Sequence, residues 1–187
     1  MDAVQKEGSG KSLELEAVVV PKDVANAFGR GLRQSVSRSV QDINSAINKL
    51  EANPLTNEER IRSIKKNIKR ITDILNGLEK AKEVRIVPLE VGSGFKFSEE
   101  TEEETSTPGE VIMDESITRK FIDALSHTIR NPLNLVLGQA ETIQAEEIYS
   151  ASMQITEIMN SFTDARSIKM VTDTQGNTTI TPIRASS

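Results

Sequence analysis

The chain has 187 residues and a formal charge of −5, with 36% hydrophobic and only 3% aromatic residues and neither Trp nor Cys. That size suits one domain or two closely packed small ones, and a core limited to Ile, Leu, Val and Met favours packed helices. The lack of cysteine excludes disulfides, thiolate chemistry and a Cys-built zinc site; no basic cluster interleaved with aromatics points to nucleic acid, and no apolar run suits a membrane span or signal core.

In chain order, residues 1–12, "MDAVQKEGSGKS", read as a flexible N-terminus. GSGKS echoes a phosphate-binding loop, but Gln5 stands where that motif needs its first glycine and no strand precedes it. "EAVVV" (16–20) reads as a strand, and "VANAFGRGL" (24–32) opens a long helix. After "EANPLTNEER", a second helix follows with Ile61, Ile64, Ile68, Ile71, Leu75 and Leu78 on one face. Thr56, with Glu59 three residues on, offers a capping box for its first free amides. "VRIVPLEVGSGFKF" reads as a β-hairpin with a glycine turn, and the acidic, Pro-containing 98–109 as a linker. The same order then recurs, ending in "IKMVTDTQGNTTITPI".

The recurrence extends to single residues. "DILNGLEKAKEVRIV" (73–87) and "EIMNSFTDARSIKMV" (157–171) match Ile74 with Ile158, Asn76 with Asn160, Ala81 with Ala165 and Val87 with Val171. Upstream, Phe28 aligns with Phe121 and Leu32 with Leu125. The offset is 93 residues in the first helix (121 − 28) and 84 in the second (158 − 74), so the first copy carries nine extra residues between them. The chain therefore reads as a tandem duplication, 13–97 and 110–187 around the linker.

In the second copy Phe121, Leu125, Ile129, Pro132, Val136, Ala140 and Ile143 form one apolar seam, and Ile148, Ile155, Ile158 and Phe162 another. Two helical hairpins with such seams bury them best against each other. The expected fold is mainly α, a pseudo-twofold four-helix bundle with short β-strands or hairpins at one end, and a monomer.

The single histidine, His127, sits in "SHTIRNPLN" (126–134). At about 100° per residue it falls nearly opposite the seam, on a polar stripe with Asn131, Asn134 and Gly138. A solvated face is the plain reading. No second histidine and no carboxylate in adjacent turns supports a metal site.

"FIDALSHTIRNPLNLVLGQAETI" (121–143) resembles the phosphoacceptor helix of sensor histidine kinases, whose pattern runs F-x-x-x-x-S-H-E-x-R-T/N-P-L-x-x-I-x-G-x-x-E. Phe121, Ser126, His127, Arg130, Asn131, Pro132, Leu133, Gly138 and Glu141 fall in register, and "EIMNSFTDARSIKM" is similar to the family's second helix. The resemblance covers about 60 residues of the second copy; the first carries Gln34 and Arg38 where His127 and Asn131 fall.

The resemblance implies a dimerisation and histidine-phosphotransfer domain in which His127 accepts phosphate and Asn131 positions water for dephosphorylation of a receiver. Ser126, Thr128, Arg130, Asn134 and Gly138 would border the partner. An exposed imidazole is largely neutral at pH 7 and a competent nucleophile toward a phosphoryl group. In the family two chains supply two helices each; here one chain would build the whole assembly, with one active histidine. Sixteen residues follow Val171 (187 − 171), too few for the family's ATP-binding domain, so ATP would have to come from another polypeptide. Thr128 replaces the usual carboxylate after the histidine, which tilts the expectation toward accepting, relaying or removing phosphate.

The expected function is thus a cytoplasmic two-component-type protein, a histidine phosphotransfer or phosphatase-like partner of a response-regulator receiver, without cofactor or metal. The alternatives are a non-catalytic adaptor that binds a histidine kinase or receiver, and a purely structural bundle.

Overall fold

A computed structural model describes residues 17–52, 57–98 and 108–185. The N-terminal 1–12 with its GSGKS, the Thr56 cap and most of the acidic linker lie outside the described residues. The first half runs β1 (Val18–Val20), α1 (Lys22–Glu51), α2 (Glu58–Lys80), β2 (Val84–Pro88) and β3 (Ser93–Phe97). The second runs β4 (Gly109–Met113), α3 (Glu115–Leu125), a π-helical turn (Ser126–Arg130), α4 (Asn131–Thr142), α5 (Glu146–Ser161), β5 (Ser167–Thr172) and β6 (Thr178–Ile183). Strand, helix, helix, strand, strand is therefore traversed twice, with α3, the π turn and α4 together standing where α1 stands in the first half.

The helices pack in a ring. α1 lies against α2 and α5, and α4 lies against the same two. Ile43, Ile47, Ile64, Ile71, Leu133, Val136, Ile148 and Ile155 fill the interior, all fully or almost fully buried. Each such side chain contributes roughly 1.5–3 kcal/mol relative to exposure. Toward the sheets the aromatic residues gather. The Phe28 and Phe121 rings meet edge-on at 4.9 Å, Phe162 lies 5.5 Å from Phe28, and Phe95 5.0 Å from Phe121. The two equivalent phenylalanines of the repeat thus touch across the join between halves.

The expectation of a mainly α bundle with short terminal hairpins is corrected by the strands. They form two three-stranded antiparallel sheets, β1-β2-β3 and β4-β5-β6, so the architecture is α+β. The strand that leads each half pairs with that half's hairpin, Val18 opposite Ile86 and Met113 opposite Ile168. The third strand matters because an isolated hairpin buries too little apolar surface to be stable, whereas three strands packed on a helix can. Val20, Val84 and Ile86 line the buried face of one sheet, and Met113, Ile168 and Met170 that of the other.

Each sheet lies on the other half's first helix. All three strands of the second sheet contact α1, and β2 and β3 contact α3, with β3 reaching the π turn. The halves therefore exchange their sheets, each packing on the other half's first helix. A buried ion cluster is specific to the first half: the Glu79 carboxylate accepts from Arg33 Nε and, at 2.9 Å, from Arg33 Nη2, with Arg30 Nε at 3.7 Å. Thr163 stands at the equivalent of Glu79 in the second half.

Candidate functional site around His127

His127 lies inside the single π turn of the chain's described residues, with Pro132 just beyond it. Proline has no N–H to return to the carbonyl four residues back and its ring crowds that carbonyl, so the α ladder is interrupted at this point. One wider turn accommodates the interruption, as π-bulges commonly do. The Thr128 hydroxyl donates to Ala124 O at 2.7 Å, holding the turn from its own side chain. Ser39 stands at the equivalent of Pro132 in α1, which runs unbroken for 30 residues.

The π turn separates what a regular helix would keep together. Asn131, Asn134 and Gly138 are exposed on α4, and a Cβ added at Gly138 would meet nothing within 4 Å. His127 is only half exposed. Its Nε2 faces the tip of the β2–β3 hairpin, where a Cβ on Gly92 would lie 1.8 Å from that nitrogen. Gly92 has φ +77°, in the region that favours glycine, so both the conformation and the contact demand the absence of a side chain. Among the described residues His127 has no hydrogen-bond partner and no carboxylate orients its ring.

The other expected residues are dispersed. Ser126 is half-buried. Arg130 turns toward the end of α5, its Nη2 donating to Asn160 Oδ1 at 2.9 Å and Thr163 Oγ1 at 3.3 Å, while its Nε is buried without a partner among the described residues. Thr128 is occupied within its own helix. The geometry thus leaves Asn131, Asn134 and Gly138 open to a partner, with His127 beside them under a cover.

The cover is the feature that reading the helix alone missed. Gly92 and Gly176 recur at the same 84-residue offset as the second helices, a signal that the two hairpin tips are equivalent. The tip around Gly176 sits over Gln34, the counterpart of His127. Gln34 Nε2 donates to Gly176 O at 3.1 Å, and Thr178 N donates to Gln34 Oε1 at 2.8 Å. Exposed Leu135, 54% accessible and one turn beyond Asn131, was also missed.

Among the described residues no three His, Asp or Glu side chains converge as a metal site would require, and no helix is long and apolar enough to cross a membrane. Comparison with known proteins finds no matching protein-family model, no matching curated protein and no matching solved structure.

Proposed function

We propose that this chain is a cytoplasmic two-component-type signalling protein that engages a response-regulator receiver through α4 and promotes loss or transfer of its phosphate. The observation that carries the reading is the difference between the α4 face and its counterpart on α1. Asn131, Asn134, Leu135 and Gly138 are exposed and uncharged, whereas Arg38, Gln41, Asp42 and Ser45 occupy the same positions on α1 and are equally exposed. A face kept only for solubility has no reason to shed its charges in one copy and to present a leucine and a glycine beside the "SHTIRNPL" string.

Geometry favours the phosphatase-like branch. The Asn131 amide is accessible and can hold a water in line with an aspartyl phosphate, while the receiver supplies the acyl phosphate and its divalent metal. Transfer to His127 Nε2 requires the Gly92 tip to move first. The test is to mix the protein with receivers carrying labelled aspartyl phosphate and follow both phosphate loss and acid-labile label on this chain. Accelerated loss is expected, and Asn131→Ala should slow it by about 10²-fold if the amide positions the attacking water. Label on the chain that disappears with His127→Gln identifies the transfer branch instead.

The contact between Gly92 and His127 Nε2 favours one other reading, a non-catalytic adaptor that docks a receiver or kinase and never handles phosphate. Tight binding with no phosphate moved or lost, unchanged in both variants, selects it.

A further inference from the structure

We infer that the partner seats in the groove between α2 and α4, that is, between the two halves, and that it presents an acidic surface with an apolar centre. This rests on the receiver reading above and specifies where and by what chemistry the receiver binds.

α4 is flanked by two grooves, one against α2 and one against α5. α2 is strongly cationic on its outer face. Lys65 and Lys69 are paired, with Glu51 and Asp73 respectively, but Arg62, Lys66 and Arg70 are exposed and have no partner among the described residues. The equivalent positions on α5 are Glu146, Ser150 and Gln154, and Glu146–Ser161 contains no Lys or Arg. The repeat thus carries its own control: the same face is basic in one half and acidic to neutral in the other.

The unpaired cations form the outward ridge of α2, with Arg70 the one turned furthest toward α4 and Arg62 nearest the α1 flank. Counting from Arg62, Lys66 lies about 40° and Arg70 about 80° around the helix, and Arg60 about 160° in the same sense. Arg60 Nη1 donates to Gln139 Oε1 of α4 at 2.8 Å, so that sense of rotation leads to α4; Lys65, on the opposite flank, reaches Glu51 of α1. On α4, Leu135 lies about 40° and Gln139 about 80° from Asn131, so the exposed leucine is on the α2 side. Asn134 and Glu141 turn the other way, about 60° and 80° toward α5.

The two helices run antiparallel. Arg60 meets Gln139 at one end, and at the other the C-terminus of α2 leads into β2 and β3, which reach the π turn. Arg62 to Arg70 spans roughly 12 Å, close to the roughly 10 Å from Asn131 to Gly138, so the cations run beside the open strip. The groove has the cationic ridge of α2 on one rim and Leu135 on the other, with Glu59, Arg60, Ser63 and Gln139 lining a cavity at its far end; Gly138 faces outward beside it. A short cationic row without aromatic stacking platforms, on a chain of net charge −5, suits a protein surface bearing several carboxylates better than a polyanion. Opposite charge there accelerates encounter and fixes which groove is used.

The experiment measures binding of a panel of beryllofluoride-activated receiver domains to the full chain, to Arg62→Glu/Lys66→Glu/Arg70→Glu, to Leu135→Asn, and to Glu146→Lys/Glu157→Lys on α5. The triple variant should weaken Kd by at least about thirtyfold, chiefly through a slower on-rate that no longer depends on salt, and Leu135→Asn about tenfold. The α5 variant should bind like wild type. Circular dichroism checks that each variant is folded, and the neutral set Arg62→Gln/Lys66→Gln/Arg70→Gln gives the same ranking if the reversal perturbs α2. A receiver that binds with loss only in the α5 variant, or in none, overturns this assignment while leaving the receiver reading intact. No binding to any receiver removes both. Duplex DNA held with the same charge dependence overturns it in favour of nucleic acid.

Discussion

Gln34 and His127 occupy equivalent places on equivalent helices, each against the hairpin tip of the other half, yet only one is fastened. Gln34 exchanges two hydrogen bonds with the tip above it. That tip is itself braced, the Asp173 carboxylate accepting from the amides of Gln175 and Asn177 and from Asn177 Nδ2. The tip over His127 closes on the Leu89 N to Gly92 O bond, leaves Leu89 and Val91 exposed, and only presses a glycine against the imidazole. At Gln34 the side chain is bonded to the tip; at His127 the same contact is van der Waals only, so uncovering its Nε2 breaks no hydrogen bond.

The sharpest way to break this comparison is at the join. Phe28→Ala or Phe121→Ala should each cost about 3–5 kcal/mol, since both rings are fully buried in one aromatic cluster. Calorimetry should show both halves unfolding in one transition in either variant; two separated transitions would mean that the exchanged sheets do not couple them. Next in size is Gly92→Ala. The left-handed backbone alone should cost about 1–3 kcal/mol, and the new methyl must displace His127. In a double-mutant cycle, His127→Ala should relieve part of that loss. Strict additivity would show that the tip does not rest on the imidazole in solution.

A smaller contrast lies in the two residues at the tips themselves. Gln34→Ala removes both bonds to the Gly176 tip and should cost about 1–2 kcal/mol. His127→Gln breaks no hydrogen bond and should stay within about 0.5 kcal/mol of wild type. Urea titration of both variants measures the difference. Equal losses would show that His127 has a structural role like that of its counterpart.

Much of this was readable in the chain. The spacing of Ile61, Ile64, Ile68, Ile71, Leu75 and Leu78 names six residues that are all buried. "EAVVV" is legible as a strand, but that it completes a sheet is a matter of long-range pairing, which local pattern does not encode. The exchange of sheets is hidden for the same reason, although the matched glycines at 92 and 176 mark the equivalent tips. His127 was placed by counting about 100° per residue through a stretch that Pro132 does not allow to be α-helical. The wheel was right for α4 beyond the proline, where Asn131, Asn134 and Gly138 are exposed. It failed at the histidine, which the wider turn and a hairpin from 35 residues upstream (127 − 92) leave half covered.

The least costly test of the asymmetry is pH. Asp173 is held below the ordinary carboxyl value of 3.8, first by the Asn177 side chain and then by the Asn177 amide. Asp114, which caps α3, is lowered in the same sense by the Ser116 hydroxyl and the Ile117 amide. Both carboxylates belong to the second half, and their counterparts are Leu89 and Pro21, which do not titrate. A carboxyl whose folded value is depressed binds a proton more readily when unfolded, so its contribution is fully present above 3.8 and is lost as pH falls through the lowered folded value. Acidification below that ordinary value should therefore loosen the Gly176 tip and the start of α3 before it affects the Gly92 tip. Amide exchange by NMR is the readout: the Thr178 and Ile117 N–H groups should lose protection first, and Leu89 N–H, bonded to Gly92 O, should not follow until global unfolding. In Asp173→Asn, Thr178 should already exchange faster at neutral pH and show no further acid dependence. If all three amides respond together in the wild type, the two tips are equally braced and the contrast between Gln34 and His127 has another origin.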